Sequence, residues 1–229
     1  MTENAAPAPA TTDLPLLVLA SKSPGRARIL RDAGIAFEAL VSDVDETAAV
    51  ADAEQRFGAL SPADTALLLA RAKAEAVAAG GDADGAVVLG CDSVFELDGV
   101  PYGKPYTEEI AAERWRAMRG STGVLHTGHW LIDDRATDEE AGEDAGTGVT
   151  VGAVASAAVT FGRPSDEEIA AYVATGEPLH CAGAFTIDGR GAAFIERVEG
   201  DPHAVVGLSV STLRDLLDPM GLTITDLWD

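Results

Sequence analysis

An apolar run, Leu16 to Ala20, passes without a spacer into Ser21-Lys22-Ser23-Pro24-Gly25-Arg26, and this junction constrains the fold more than any other part of the chain. A short continuous apolar run bounded by turn residues reads as a buried strand. Ser23 is a good helix N-cap, Pro24 suits the first helical position, and Gly34 closes the helix roughly ten residues later. A strand feeding directly into a capped helix is half of an α/β unit.

The pattern then repeats in outline. Phe37 to Val41 reads as a second strand running into Ser-Asp-Val-Asp-Glu, taken as an acidic loop. Ser61-Pro62 opens a long helix that Gly80-Gly81 ends, and Ala86 to Val94 is a central strand ending near Asp92. Gly99, Gly103 and Pro105 mark a turn, and a helix from Thr107 to Met118 places Ala111, Trp115 and Met118 on one face. Trp130 to Ile132 and Val154 to Phe161 read as strands. Ser165 to Glu168 is a capping box opening a helix that Gly176 ends. The glycine-rich stretch from Ala182 to Gly200 suggests a hairpin, and a last helix spans Ser209 to Leu217. Alternating strands and helices followed by hairpins predict an α/β fold. A mixed β-sheet with flanking helices and two lobes around a central cleft accounts for this order. Residues 1–13 read as a disordered tail, 14–229 as a single two-lobed domain, and the acidic connection at 133–150 as a mobile loop.

Charge narrows the partners. The chain has 38 acidic and 16 basic residues, a formal charge of −22, and such a surface repels a nucleic-acid backbone or an anionic membrane. A polyanionic substrate would need a locally basic site. No run approaches the roughly 20 apolar residues of a membrane span, and the polar, proline-rich N-terminus is unlike a signal peptide. Two distant cysteines, Cys91 and Cys181, suit a reducing compartment, so a cytoplasmic protein is expected.

Several segments carry possible chemistry. The loop at Ser21 to Arg26 presents free N–H groups, a helix dipole and a guanidinium to an anion, although a capped helix with a solvated arginine has the same sequence. Asp43, Asp45 and Glu46 are hard oxygen ligands suited to Mg²⁺ or Mn²⁺, or simply a solvated loop. Asp92 could hold a metal or take a proton from water, or cap a turn with Ser93. Lys73, in an alanine-rich helix, and Lys104, in a Gly-Lys-Pro turn, could offset phosphate charge or be surface lysines. The four histidines show no zinc spacing, and the adjacent His180 and Cys181 are poorly placed as base and nucleophile.

Taken in order, LVLASKSPGRARILRDAGI, SDVDE, ARAKAEAVA, VLGCDSV with GKP, TGEP, AGAFTIDGRGAAFIERVEG and VVGLSVSTLRDLL resemble the Maf family of nucleotide pyrophosphatases from Leu16 to Gly221. The resemblance implies metal-dependent hydrolysis of nucleoside triphosphates to monophosphate and pyrophosphate. It implies Asp92 as proton acceptor, with Lys73 and Lys104 as the two catalytic lysines. It also implies Ser21, Ser23 and Arg26 as the phosphate loop, Glu46 with Asp92 on the Mg²⁺ or Mn²⁺ ion, and a homodimer. In the subgroup similar to dTTP/UTP pyrophosphatases a threonine usually stands where this chain has Ser93, and a glutamine where it has Asp188. Three further departures are Gly25 where a second arginine is usual, His180-Cys181 for Asp-Lys, and Gly123 for a histidine. The SPGR, CDS and FTIDG variants are similar to high-GC actinobacterial members. Asp188 would meet the base or sugar, which leaves the preferred base, canonical or modified, open. A non-catalytic nucleotide-binding regulator of cell division and a phosphatase releasing orthophosphate stepwise are the rival readings.

Overall fold

A computed structural model of the chain describes residues 16–136 and 145–229; the expected tail at 1–13 lies outside them. The elements in order are β1 (Leu17–Ala20), α1 (Pro24–Asp32), β2 (Glu38–Ala39), α2 (Glu46–Phe57), α3 (Pro62–Ala78), β3 (Val87–Leu97) and β4 (Val100–Tyr102). Then come α4 (Glu108–Met118), β5 (Thr122–Asp133), β6 (Thr150–Phe161), α5 (Asp166–Val173), β7 (Ile195–Gly200), α6 (Pro202–Val206) and α7 (Val210–Leu217). The caps expected from sequence at Ser23, Ser61 and Ser165 are in place, each accepting a backbone N–H from the first turn of α1, α3 and α5, and Thr107 caps α4 in the same way.

One mixed sheet of seven strands runs in the order β2-β1-β3-β5-β6-β7. β1 lies parallel to β2 and to the first half of β3, with Leu17 opposite Val87 and Ala20 opposite Gly90. β4 lies antiparallel to the far end of the same β3 edge, from Phe95 to Leu97. Between these partners that edge is open at Cys91 to Val94, while β5 pairs the opposite edge without interruption from Val87 to Glu96. β3 therefore does not end near Asp92, as its sequence suggests. The unbroken β5 ladder carries the strand through, and Asp92 lies at the gap between β1 and β4.

Alternation along the strands feeds separate cores. Leu17 and Leu19 of β1 join Leu89 and Cys91 of β3, Ile29 and Leu30 of α1, and Leu213 and Leu217 of α7. On the other face Val18, Ala20 and Val88 pack on Ala74 and Val77 of α3. Beyond the gap lies a third core, where Phe95, Trp115, Phe161 and Phe185 meet edge to face with centroids 5.0–5.8 Å apart, a favoured geometry for aromatic pairs. The two ends of β3, β5 and β6 thus carry the two lobes, and the mixed α/β architecture is as expected.

Several sequence expectations need correction. The acidic stretch after the second strand is not all loop, because Asp45 caps α2 by accepting from Ala48 N–H at 3.0 Å and Glu46 begins the helix. β2 is two residues long. The glycine-rich stretch forms 3₁₀ turns at Ala182–Ala184 and Arg190–Phe194 and a single strand, β7, paired with β6. The Glu177 carboxylate prevents a hairpin there, since it accepts from the Arg190 and Gly191 N–H groups and the Thr186 hydroxyl. The expected loop at 133–150 begins one residue too early, because Asp133 ends β5 and its carboxylate ties Arg135 and Thr147 across the loop's base. Residues 137–144 of that loop lie outside the described residues.

Candidate active site

The gap in the β3 edge opens into a cleft of about 960 Å³. Of the chain's sixteen Lys and Arg residues, six line it: Lys22, Arg26, Arg28, Arg31, Lys73 and Lys104. Among the described residues only three acidic ones, Glu46, Asp92 and Asp188, do so. A protein of charge −22 thus encloses one locally positive cleft, which favours a polyanionic ligand.

At the floor, Lys73 reaches from α3 to the middle of β3. Its Nζ lies 2.5 Å from Asp92 Oδ1 and 2.7 Å from Glu46 Oε1, so one ammonium joins both carboxylates. This closeness depends on how α3 seats. Ala66, Ala70 and Ala74 face the sheet with no exposure. A Cβ at Gly90 would lie 2.1 Å from the Ala70 carbonyl, and one at Gly128 would lie 2.3 Å from that of Ala66. Gly128 pairs with Asp92 across the ladder, so a side chain there would lift the helix away from the aspartate. Burial pushes the Asp92 carboxyl above its ordinary value despite Lys73 and Arg26. For the half-exposed Glu46, burial also works upward, but the Lys73 hydrogen bond and charge outweigh it and hold the carboxyl below its usual range.

The wall is built by the loop between β1 and α1. Arg26 is 8% exposed. Its Nε donates to Gly207 O at 2.7 Å, Nη1 to Ser21 Oγ at 3.0 Å and Nη2 to Ser93 Oγ at 3.2 Å. Ser21 Oγ also accepts from Ser23 N–H at 3.2 Å, and Ser23 Oγ caps α1. The Ser93 hydroxyl is backed by Thr127 at 2.9 Å, and Thr127 donates to Ala204 O at 2.7 Å. Ser93 lines the cleft, and its hydroxyl seats Arg26. Gly207, at φ 125, takes a conformation that disfavours a side chain and leaves room beside Arg26 Nε.

Two carboxylates beside a basic pocket are hard oxygen donors of the kind Mg²⁺ and Mn²⁺ take, with phosphate oxygens and water completing the shell. Among the described residues no group of three or more His, Cys, Asp or Glu is placed to hold a metal ion unaided. Glu46 and Asp92 therefore fit a metal that arrives with a phosphorylated ligand and do not form a self-sufficient cage.

The sequence profile of Maf-like proteins matches residues 16–220. The chain belongs to the Maf family. It is 55% identical to a protein of Leifsonia xyli over 93% of this chain and 96% of the relative. A protein of Streptomyces coelicolor is 52% identical over 93% and 94%, and one of Synechococcus is 45% identical over 94% and 99%. Each is named a nucleoside triphosphate pyrophosphatase.

The cleft brings together every site residue that the Maf resemblance implied: Ser21, Ser23, Arg26, Glu46, Lys73, Asp92, Ser93, Lys104 and Asp188. Asp43 and Asp45 do not line it. Gly25, where the Maf pattern usually has a second arginine, faces Val206 Cγ1, which a Cβ would approach to 3.1 Å; in this chain α6 stands in that space. Cys181 lines the cleft, and burial, then the Glu177 charge, raise its thiol above the usual value, so the protonated form is favoured. Sequence reasoning missed Arg28, whose guanidinium pairs with Asp188. It also missed Thr127 behind Ser93 and Glu177 behind the Asp188 loop. Glu177 stood in the quoted TGEP string, but no spacing rule announces a carboxylate that will bind backbone N–H groups of a loop ten or more residues on.

Proposed function

We propose that this Maf protein is a nucleoside triphosphate pyrophosphatase that hydrolyses (d)NTPs, canonical or modified, to the monophosphate and pyrophosphate. The observation that carries the reading is a locally positive cleft, in a strongly acidic protein, with Asp92 at its floor held by Lys73. Full-length relatives named for this activity support it.

In this reading the triphosphate lies along the Ser21–Arg26 loop. Arg26, Lys73 and Lys104 offset its charge, as phosphoryl transfer needs positioning and electrostatic stabilisation more than covalent help. Lys73 occupies Asp92 Oδ1, which leaves Oδ2 to accept a proton from water. The water oxygen bonds to the α-phosphorus, and the bond from that phosphorus to the oxygen bridging the α and β phosphates breaks. Pyrophosphate departs with the electron pair, and the proton passes from Asp92 to solvent. Glu46 and Asp92 would hold a divalent cation, Mg²⁺ or Mn²⁺, which as a Lewis acid would polarise the phosphate oxygens. Lys73 bridges the two carboxylates when the nucleotide is absent. Asp188 is proposed at the base or sugar end. The two free cysteines support a reducing, cytoplasmic setting, and the family resemblance supports a homodimer. Among the described residues no helix is long and apolar enough to cross a membrane.

A nucleotide panel with Mg²⁺ or Mn²⁺, read by separate pyrophosphate and orthophosphate assays, tests the activity. Wild-type protein should release pyrophosphate, and Asp92→Asn should lose about 10³-fold or more of the rate while still binding nucleotide. Orthophosphate appearing stepwise would point to a phosphatase. Nucleotide-dependent thermal stabilisation without hydrolysis would point to a binding protein.

A further inference from the structure

Away from the Lys73 cluster, the two cleft walls meet through an ion pair. Arg28 Nη2 contacts Asp188 Oδ2, with the side chains 46% and 30% exposed. Arg28 is on α1, where the adjacent Ile29 and Leu30 pack in the core shared with β1. Asp188 follows Phe185 and Ile187, which pack in the aromatic core of the other lobe. Glu177 fixes the loop that presents Asp188 through the Thr186 hydroxyl at 2.6 Å and the Gly191 N–H at 3.0 Å. Asp188 is thus held from behind by its own lobe and met from in front by Arg28.

We infer that Arg28 is a substrate-positioning residue that acts through Asp188, neutralising and aiming a carboxylate that discriminates the base end of the nucleotide. The inference rests on the pyrophosphatase reading in taking the ligand to be a nucleotide and in placing Asp188 at its base end.

The argument is electrostatic. An exposed ion pair contributes little to folding, so stability alone gives weak reason for this one. Inside a cleft for polyanions, however, an unpaired Asp188 carboxylate would repel the ligand. Arg28 cancels that charge without filling both oxygens. With Oδ2 engaged, Oδ1 can still accept a hydrogen bond, and an ionised carboxylate has no proton to give. The base edge that meets it must therefore present an N–H. Removing Arg28 restores repulsion towards every nucleotide. Replacing Asp188 with asparagine relieves the charge but adds a donor beside the acceptor, which blunts selection. The two positions should therefore be strongly non-additive.

The test is equilibrium binding of the four α,β-methylene nucleoside triphosphates (A, G, C and U) to the full chain in Mg²⁺. Arg28→Gln should weaken binding of all four about tenfold, and Arg28→Lys should recover most of that loss by keeping the charge. Asp188→Asn should bind at least as tightly as wild type with a flattened base preference. The Arg28→Gln/Asp188→Asn double variant should return to near wild-type affinity with the flat preference, and melting temperatures should stay close throughout. Arg28→Gln within twofold of wild type on all four analogues overturns the inference, as do simply additive losses in the double variant. A wild-type protein that binds none of the four overturns the nucleotide reading and this inference together.

Discussion

Lys73 separates two carboxylates that would otherwise face each other across the cleft floor. Lys73→Ala should therefore cost more than a lost phosphate contact, because Asp92 and Glu46 are left with their repulsion. A fall in kcat of about 10²–10³-fold, similar for every base, is expected in steady-state assays. Lys104→Ala should lower activity evenly across bases as well; an effect confined to one base would place Lys104 at the base pocket. Asp133 allows a test free of catalysis. Its buried carboxylate is pushed up by desolvation, but hydrogen bonds from Arg135 and Thr147 dominate and bring its pKa to about 2. Because the folded value lies below the unfolded one, the contribution to stability is complete above about pH 4 and fades as pH falls towards 2. Asp133→Ala removes the acceptor shared by Arg135 and Thr147 and should cost about 1–3 kcal/mol in urea unfolding at neutral pH, with the difference from wild type shrinking through that acid window. At this scale the sequence displayed Asp92 and the lysines inside ordered motifs. It did not display Thr127 or Arg28, whose roles depend on partners 34 and 160 positions away in the chain.

Among the elements, the caps were legible and the close contacts were not. Ser-Pro before α1 and α3 and the capping box of α5 satisfy orphan helix N–H groups by local geometry, which sequence spacing records directly. α2 was obscured because its cap, Asp45, sits in an acidic run and only Ala53 of the helix is buried, leaving little periodic signal. β5 was read only at Trp130 to Ile132, because its earlier residues include Gly123, Thr127 and Gly128. Those residues serve packing: Gly123 admits the Phe95 ring and Gly128 admits α3. The alanines of α3 and the glycines Gly90 and Gly128 form one mated surface. Gly128→Ala should therefore destabilise the fold by about 1–3 kcal/mol and, by displacing Lys73 from Asp92, reduce kcat beyond what residual unfolding explains. Paired denaturation and kinetic measurements check this; wild-type turnover in a destabilised Gly128→Ala protein would uncouple the helix seat from catalysis. Side-chain bonds also join the strands, with Thr122 bonded to Thr160 and His126 bridging Ser156 and Glu96.

Over the whole molecule, charge acts in two opposed directions. The −22 surface repels a nucleotide at long range, whereas the cleft attracts it at short range. Added salt should first speed association by screening the far field and then weaken the bound state once the Debye length falls below about 8 Å, near 0.15 M. A maximum in kcat/KM against ionic strength is expected, and a monotonic decline would mean that the cleft's own field dominates at every distance. The acidic total was plain from composition. That six of the few cations would gather in one place was not, since they come from α1, its preceding loop, α3 and the β4–α4 turn.

β3, β5 and β6 are continuous through both lobes, without a linker between them. The molecule is therefore less a pair of jaws on a hinge than a leaf spring with a load at each end. Bending such a spring strains many ladder bonds a little and none greatly. Room for nucleotide and exit for product should come from the wall segments, α1 with its preceding loop and the loop held by Glu177, while the spine holds Asp92 nearly still. Hydrogen exchange on cleft loading should accordingly change in those walls and leave the β3–β5 ladder almost untouched.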